Sequence, residues 1–263
     1  MLFLCFLICF FASIIGAICG IGGGVIIKPV LDAFQVMDVA SISFLSGCTV
    51  LSMTTYSVIK SKMSGKSNLD QKITLPLAIG SIIGGILGKW MFRALVLFFQ
   101  NLNTVGMIQS SLLCIVTVGT VIYTLRKNQI KTYQFSNLIL CFVIGIFLGV
   151  LSSFLGIGGG PINLVVLYFF FSMDTKKAVE NSLYTIFYSQ IASLVMSILA
   201  KQIPEFPIEV LVFMVVGGIF GGVCGRSLNK KMSEKMVEKL FLYLMYGMIV
   251  LNVWNIYQFV AEK

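Results

Sequence analysis

The chain contains ten apolar segments separated by short polar or glycine-rich stretches, and this pattern constrains its fold most. A helix that crosses a bilayer needs roughly 20 mostly apolar residues, and eight segments are about that long. Only 11% of the residues are charged, far below the roughly 25% of soluble domains. The sequence therefore predicts an all-α membrane protein of about eight long helices plus two short return helices. The segments are residues 2–19, 25–36, 38–59, 73–92, 104–125, 136–155, 161–172, 175–200, 207–225 and 237–259.

Two segments, residues 25–36 and 161–172, are too short to cross, because about a dozen residues rise only about 18 Å as a helix. Each follows a glycine break with the sequence Gly-Ile-Gly-Gly-Gly, at residues 20–24 and 156–160. Such glycines weaken a helix by about 1 kcal/mol each relative to alanine, and they leave backbone groups without helical partners. We therefore predict that both breaks are surrounded by protein or line a water-filled cavity.

The glycine breaks are part of an internal repeat. They recur at an offset of 136, and Met37-Asp38 recurs at that offset as Met173-Asp174. A second series recurs at an offset of 137. Its glycines are spaced by four, which favours close helix crossing, and we expect the basic residue that follows them to mark the helix end. This series consists of Gly80, Gly84, Gly88 and Lys89, matched by Gly217, Gly221, Gly225 and Arg226. We predict one membrane domain, residues 1–263, with repeats of about 1–127 and 132–263.

The distribution of charge predicts how the repeats are oriented. The net charge of +9 could suggest nucleic acid, but the basic residues lie in short clusters between apolar runs, so we expect no nucleic-acid partner. With inverted repeats, 14 of the 19 basic residues fall on one side, whereas parallel repeats give 9 and 10. Only the inverted arrangement obeys the positive-inside rule. It predicts a multi-pass protein of the cell membrane with both termini outside.

The composition also argues against an enzyme. The chain has no histidine, and its seven cysteines lie almost entirely in apolar segments without a C-x-x-C pair. We find no zinc or haem pattern and no nucleophile with a base, and we expect no metal, no cofactor and no catalysis. Neither break has the Lys-Ser/Thr ending of an ATP-binding loop.

The glycine breaks are the candidate site. A helix that starts after a break directs free N–H groups and its positive dipole end at the loop, so two such ends near mid-membrane favour an anion site. The alternative is helix packing through small residues. Lys28, the only basic residue close to a break, either contacts substrate or snorkels outward. Glu180 either pairs with Lys176 or Lys177 or is a protonatable coupling group.

The helices after the return segments carry polar side chains that either line a pathway or bond neighbouring helices. Asn181, Ser182 and Tyr188 could donate hydrogen bonds to an oxyanion. The predicted substrate-binding residues are Gly20, Gly22, Gly23, Gly24, Lys28, Ser46, Gly156, Gly158, Gly159, Gly160, Asn163, Asn181, Ser182 and Tyr188.

At these residues the whole chain resembles the sulfite exporter TauE/SafE family, whose mark is a G-x-G-G-G segment in each half. The resemblance implies transport of a small anion, with sulfite and organosulfonates as the type. The leading hypothesis is a secondary transporter in the lipid bilayer that works by alternating access. A passive anion channel and a non-transporting scaffold remain alternatives, and the sequence does not indicate the oligomeric state. Residues 41–46 are less polar than residues 178–182, so the two halves need not contribute equally.

Overall fold

The computed structural model describes residues 2–63, 70–157, 159–201 and 203–261. Within these ranges every regular element is helical, which confirms the predicted all-α fold. A 3₁₀ turn, Lys127–Gln129, follows α5. The helices are α1 (Leu2–Cys19), α2 (Gly24–Ala33), α3 (Val39–Met63), α4 (Gln71–Phe99), α5 (Leu102–Arg126), α6 (Leu138–Phe154), α7 (Pro161–Phe171), α8 (Thr175–Leu199), α9 (Ile208–Lys231) and α10 (Glu234–Ala261).

Helix lengths separate spans from return segments as predicted. Among the described helices, seven are long and apolar enough to cross a membrane, namely α1, α3, α4, α5, α8, α9 and α10. Helix α6 is also apolar and has 17 residues. Helices α2 and α7 have 10 and 11 residues, so each rises only about 15 to 17 Å.

Each long helix that follows a return segment begins at the repeated aspartate. The Asp38 carboxylate accepts hydrogen bonds from the backbone N–H groups of Ala40 and Ser41, both at 2.9 Å. Asp174 accepts from the backbone N–H of Lys177 at 2.9 Å. A carboxylate at this position satisfies N–H groups that have no helical partner. The Met-Asp repeat is therefore a pair of helix starts.

The four-spaced glycines form close crossings between parallel helices. Gly80 of α4 lies against the Phe142 carbonyl of α6, and Gly88, two turns later, lies against the Val150 carbonyl. Because the residue numbers of α4 and α6 increase together along the contact, the two helices run in the same direction. The other series packs in the same way between α9 and α1: Gly217 faces Phe6, Gly221 faces Phe10 and Gly225 faces Ile14. The predicted role of these glycines in close crossing is confirmed.

Equivalent helices of the two halves run in opposite directions. On α3 and α8, Gly47 lies beside Gln190, whereas Ser61, later in α3, donates a hydrogen bond to Glu180, earlier in α8. The same reversal holds for α5 and α10: Gly106 packs on Phe259, and Lys127 pairs with Glu238. The two halves are therefore inverted relative to each other.

The short helices return to the side from which their hairpin entered. Ile27 and Leu31 of α2 share a buried cluster with Cys5 and Cys9 of early α1. At the end of α7, the carbonyl of Phe170 accepts a hydrogen bond from the backbone N–H of Phe135, just before α6. The end of each short helix thus lies near the start of the helix before it. Both glycine breaks are consequently the inner tips of hairpins.

Candidate functional site

Both breaks adopt backbone conformations that favour glycine. Gly20 and Gly22 have φ of +73° and +72°, and Gly156 and Gly159 have φ of +65° and +132°. Side chains disfavour this left-handed region, so the glycines allow the chain to reverse direction inside the protein. Gly158 lies outside the described residues.

The structure brings the two breaks into contact. Gly24 lies directly against the backbone carbonyl of Ile157, and a Cβ atom on Gly159 would be 3.4 Å from the carbonyl oxygen of Ile21. Ile21 and Ile157 are only 0% and 1% exposed. The tips of the two hairpins therefore meet in the interior, with their backbones nearly touching. Gly22, Gly23 and Gly160 of the predicted set are buried there as well.

Helix α8 closes over the first break. Gly20 lies against the backbone and side chain of Val179. One turn later, the Ser182 hydroxyl donates a 2.6 Å hydrogen bond to the Gly20 carbonyl. A buried carbonyl without a helical partner is thereby satisfied. Ser182, a predicted site residue, supports the first break in this conformation.

The second break has a different environment. Ser43 of α3 lies against Gly156, as Val179 lies against Gly20. Ser46, the repeat equivalent of Ser182, is fully buried, but its hydroxyl oxygen has no hydrogen-bond partner among the described residues. The second break therefore lacks the serine bond that supports the first.

A small cavity of about 10 Å³, with room for about one water molecule, lies beside the second break. Five helices and the break contribute to its wall, which includes one basic side chain, Lys89, and several neutral polar ones. The lining residues are Ser43, Phe44, Gly47, Lys89, Phe92, Gln109, Ser153, Gly156, Gln190, Ser193 and Leu194. This wall combines one cation with hydroxyl and amide groups, which suits a small anion.

Lys28 forms a buried ion pair within α2. Its ammonium lies 2.7 Å from the Asp32 carboxylate, and the two side chains are 3% and 2% exposed. The expectation that Lys28 snorkels outward is therefore wrong, because a carboxylate one turn away neutralises its charge inside the protein. Its other predicted role, contact with substrate, stays a prediction.

The remaining predicted residues occupy varied places in the fold. Asn163 is 2% exposed, and its side-chain oxygen has no partner among the described residues. Asn181 bonds Thr74 of α4 and donates to the Lys177 carbonyl at 2.8 Å. Tyr188 is half-buried, with its ring against Phe187. Asn181 thus fits the expectation that some of these side chains bond neighbouring helices.

Glu180 faces α3. Its carboxylate accepts a hydrogen bond from Ser61. Lys177 lies 3.7 Å from Asp174, and Lys176 donates to Asn229. Both lysines that were considered as partners of Glu180 thus have other contacts, while the coupling role of Glu180 stays a prediction.

Lys89 does not mark the end of its helix, contrary to the prediction from the glycine spacing. Helix α4 continues to Phe99, so Lys89 lies about 15 Å before that end. The apolar residues after Arg93 extend the helix past two basic residues. The match between Lys89 and Arg226 in the repeat is the sequence signal that could have identified Lys89 as a candidate site residue. Ser153 and Gln109 also line the cavity without having been predicted.

A second cavity is lined mainly by acidic side chains. It lies at the beginning of α10, and Asp174, Glu234 and Glu238 line it together with Lys127. Lys127 pairs with Glu238, which also accepts a 2.7 Å hydrogen bond from Thr175. Three carboxylates and one ammonium repel an anion. Of the two cavities, only the one beside the second break suits an anionic ligand.

Comparison with known proteins identifies the family of the chain. The sulfite exporter TauE/SafE family matches from residue 5 to residue 251. A protein of Methanocaldococcus jannaschii, described as a probable membrane transporter protein, is 26% identical over 200 residues, which cover 71% of this chain and 68% of that protein. No solved structure matches the chain significantly. The chain is a multi-pass membrane protein and belongs to the sulfite exporter TauE/SafE family.

Proposed function

We propose that this protein is a secondary transporter that moves a small anion of the sulfite or organosulfonate type by alternating access. The observation that carries the proposal is the contact between two glycine hairpin tips, Gly24 against Ile157, from halves that run in opposite directions. Inverted halves that meet at interrupted helices form the substrate sites of many secondary transporters. The family supports a transporter, and its description supplies the substrate class.

The short helices supply the attraction for an anion. Helices α2 and α7 begin at Gly24 and Pro161, both buried. The first N–H groups of a helix have no helical partner and carry a partial positive charge. Two such ends, one from each hairpin, attract an oxyanion to the region of the breaks. The predicted substrate-binding set, including Gly158, belongs to this proposal, with Glu180 as the coupling candidate.

Movement of the two repeats, about 1–127 and 132–263, would expose this region to each side in turn. The sequence has no ATP-binding loop motif, so an ion or substrate gradient supplies the energy. The proposed orientation has both termini outside. Cysteines introduced at Lys62 and Phe34, in a Cys224→Ser background, test it: an impermeant external thiol reagent should label position 34 but not position 62. Labelling of position 62 alone would reverse the orientation.

Flux into proteoliposomes tests the function. The purified protein should transport sulfite or ethanesulfonate above empty liposomes, with a rate that saturates as the concentration rises. Gly159→Leu should abolish the flux, because Gly159 has φ of +132° and packs against Ile186. Gly119→Leu is the matched control, since no atom lies within 4 Å of its added Cβ.

The alternatives give different results in the same assay. A passive channel would show flux that rises linearly with concentration, together with single-channel currents. A scaffold would show no flux of either anion and would tolerate Gly159→Leu if the variant folds. Either result would contradict the proposed carrier.

A further inference from the structure

We infer that the small cavity beside the second glycine break, which has room for about one water molecule in this structure, marks a binding subsite for one small, singly charged oxyanion, with Lys89 as its countercharge. The inference rests on the proposed function and adds to it a residue, a location and a charge. It also makes the site asymmetric: the equivalent position in the other half, Arg226, serves as a structural anchor. Lys89, Gln109 and Ser153, which help to form the subsite, do not belong to the set predicted from the sequence.

The charge of Lys89 is the first observation. Its ammonium lies 5.2 Å from the centre of the Phe92 ring. Among the described residues no carboxylate lies within ion-pair distance of Lys89, whereas the ammonium groups of Lys28 and Lys127 each contact one. A cation in a membrane interior is costly unless an opposite charge neutralises it. No acidic residue is among the described residues that line the cavity, so an anion is the partner that fits.

The neutral side chains around the cavity are the second observation. Besides the lysine, five polar residues line it, and all are at least nine-tenths buried: Ser43, Gln109, Ser153, Gln190 and Ser193. The hydroxyl oxygens of Ser43 and Ser153 have no hydrogen-bond partner among the described residues, and neither does the side-chain oxygen of Gln109. Buried polar atoms are nearly always hydrogen-bonded.

Their unmet hydrogen bonds indicate the chemistry of the ligand. Hydroxyl groups donate to the oxygens of a bound oxyanion, and a ligand that keeps one hydroxyl can also donate to the Gln109 oxygen. The Gln109 amide nitrogen already donates to the Phe154 carbonyl, which fixes the direction of that side chain. A monoanion matches the single charge of Lys89.

The repeat-equivalent positions lack these features. Ser43 corresponds to Val179 and Ser153 to Ala17 at the offset of 136, so two of the donors are replaced by apolar side chains. Arg226, the equivalent of Lys89, donates a 2.9 Å hydrogen bond to the Ser57 carbonyl. Ser57 is itself the equivalent of Ser193, which lines the cavity. The position that lies in a polar cavity in one half thus bridges α9 and α3 in the other.

Transport by Lys89→Met in proteoliposomes tests the subsite, with sulfite and ethanesulfonate as the probes. We expect at least a tenfold loss of saturable flux or a tenfold rise in the half-saturating concentration, and partial recovery in Lys89→Arg. Lys60→Met, at an exposed lysine of α3, should behave as the wild type. A thermal unfolding scan without anion establishes that each variant is folded.

A second variant keeps the test independent of how Lys89→Met folds. Ser43→Val with Ser153→Ala installs the residues found at the repeat-equivalent positions, Val179 and Ala17, and should raise the half-saturating concentration while leaving the charge in place. If the wild type transports and both variants match it, the subsite is wrong and the proposed function stands. If the wild type transports neither anion, the proposed function fails and the subsite fails with it.

Discussion

The two glycine breaks share one sequence but differ in how the surrounding helices hold them. At the first break, Ser182 donates to the Gly20 carbonyl and Val179 packs over the glycine. At the second, Ser46 has no partner among the described residues, and a polar cavity lies beside Gly156. The duplicated motif is therefore held by a serine hydrogen bond at one tip and lies beside a small polar cavity at the other. Inverted repeats in alternating access are expected to occupy such unequal environments, one half packed while the other faces a cavity.

The largest expected difference between the breaks concerns their last glycines, Gly24 and Gly160. A Cβ atom on Gly24 would collide with the backbone carbonyl of Ile157, which cannot move without shifting the other hairpin. A Cβ atom on Gly160 would meet only the flexible end of the Ile157 side chain, at 3.3 Å. We expect Gly24→Ala to lower sulfite flux at least tenfold and Gly160→Ala to lower it by less than threefold.

Proteoliposome flux, corrected for the amount of folded protein, measures this contrast. Gly119→Ala, in open space, controls for the helix propensity of alanine. Equal losses at Gly24 and Gly160 would mean that the two tips are equally confined, and the proposed asymmetry would then be wrong.

The sequence predicts more of the fold than of the site. The helices follow from local sequence patterns, whereas the site depends on contacts between residues that are distant in the sequence. Runs of about 20 apolar residues and a triple glycine are local signals, and they located all ten helices and both breaks. The prediction ended α4 near residue 92 because Lys89 and Arg93 interrupt the apolar run, whereas the helix continues to Phe99. The apolar segment after Arg93 is the signal that was given too little weight.

The cavity depends on tertiary structure that no local pattern contains. Its wall combines side chains of α3, α4, α5 and α8 with residues of α6 and the second break, and only the packed structure brings these elements together. The ion pair of Lys28 could be predicted from the sequence, because a lysine and an aspartate at positions i and i+4 lie next to each other on a helix. Asp32 lies one turn after Lys28 in the same short segment.

The second expected difference concerns the return helices. In α2, Lys28 and Asp32 form a buried ion pair, whereas the equivalent residues of α7 are Leu164 and Tyr168. Asp32→Asn removes one charge and leaves Lys28 buried without its partner, which destabilises a protein by about 3–5 kcal/mol. We expect a large drop in the thermal unfolding midpoint of the purified protein.

Removing both charges provides the matched comparison. Lys28→Leu with Asp32→Leu replaces the pair by apolar residues, as in α7, and should recover most of the lost stability. If Asp32→Asn unfolds at the wild-type temperature, the ion pair contributes little to the stability of the first hairpin. The charge difference between α2 and α7 would then have no effect on stability.

The smallest expected difference concerns the two equivalent serines. Ser182→Ala leaves the buried Gly20 carbonyl without its 2.6 Å hydrogen bond, which costs about 1–3 kcal/mol. Ser46→Ala removes a hydroxyl that has no partner among the described residues, so stability should stay within about 0.5 kcal/mol of the wild type or rise slightly. Thermal unfolding measures both effects. Under alternating access the two serines exchange roles, so Ser46→Ala should slow sulfite flux even though it leaves stability unchanged. A Ser46→Ala variant with wild-type flux would show that the second break does not close through this serine.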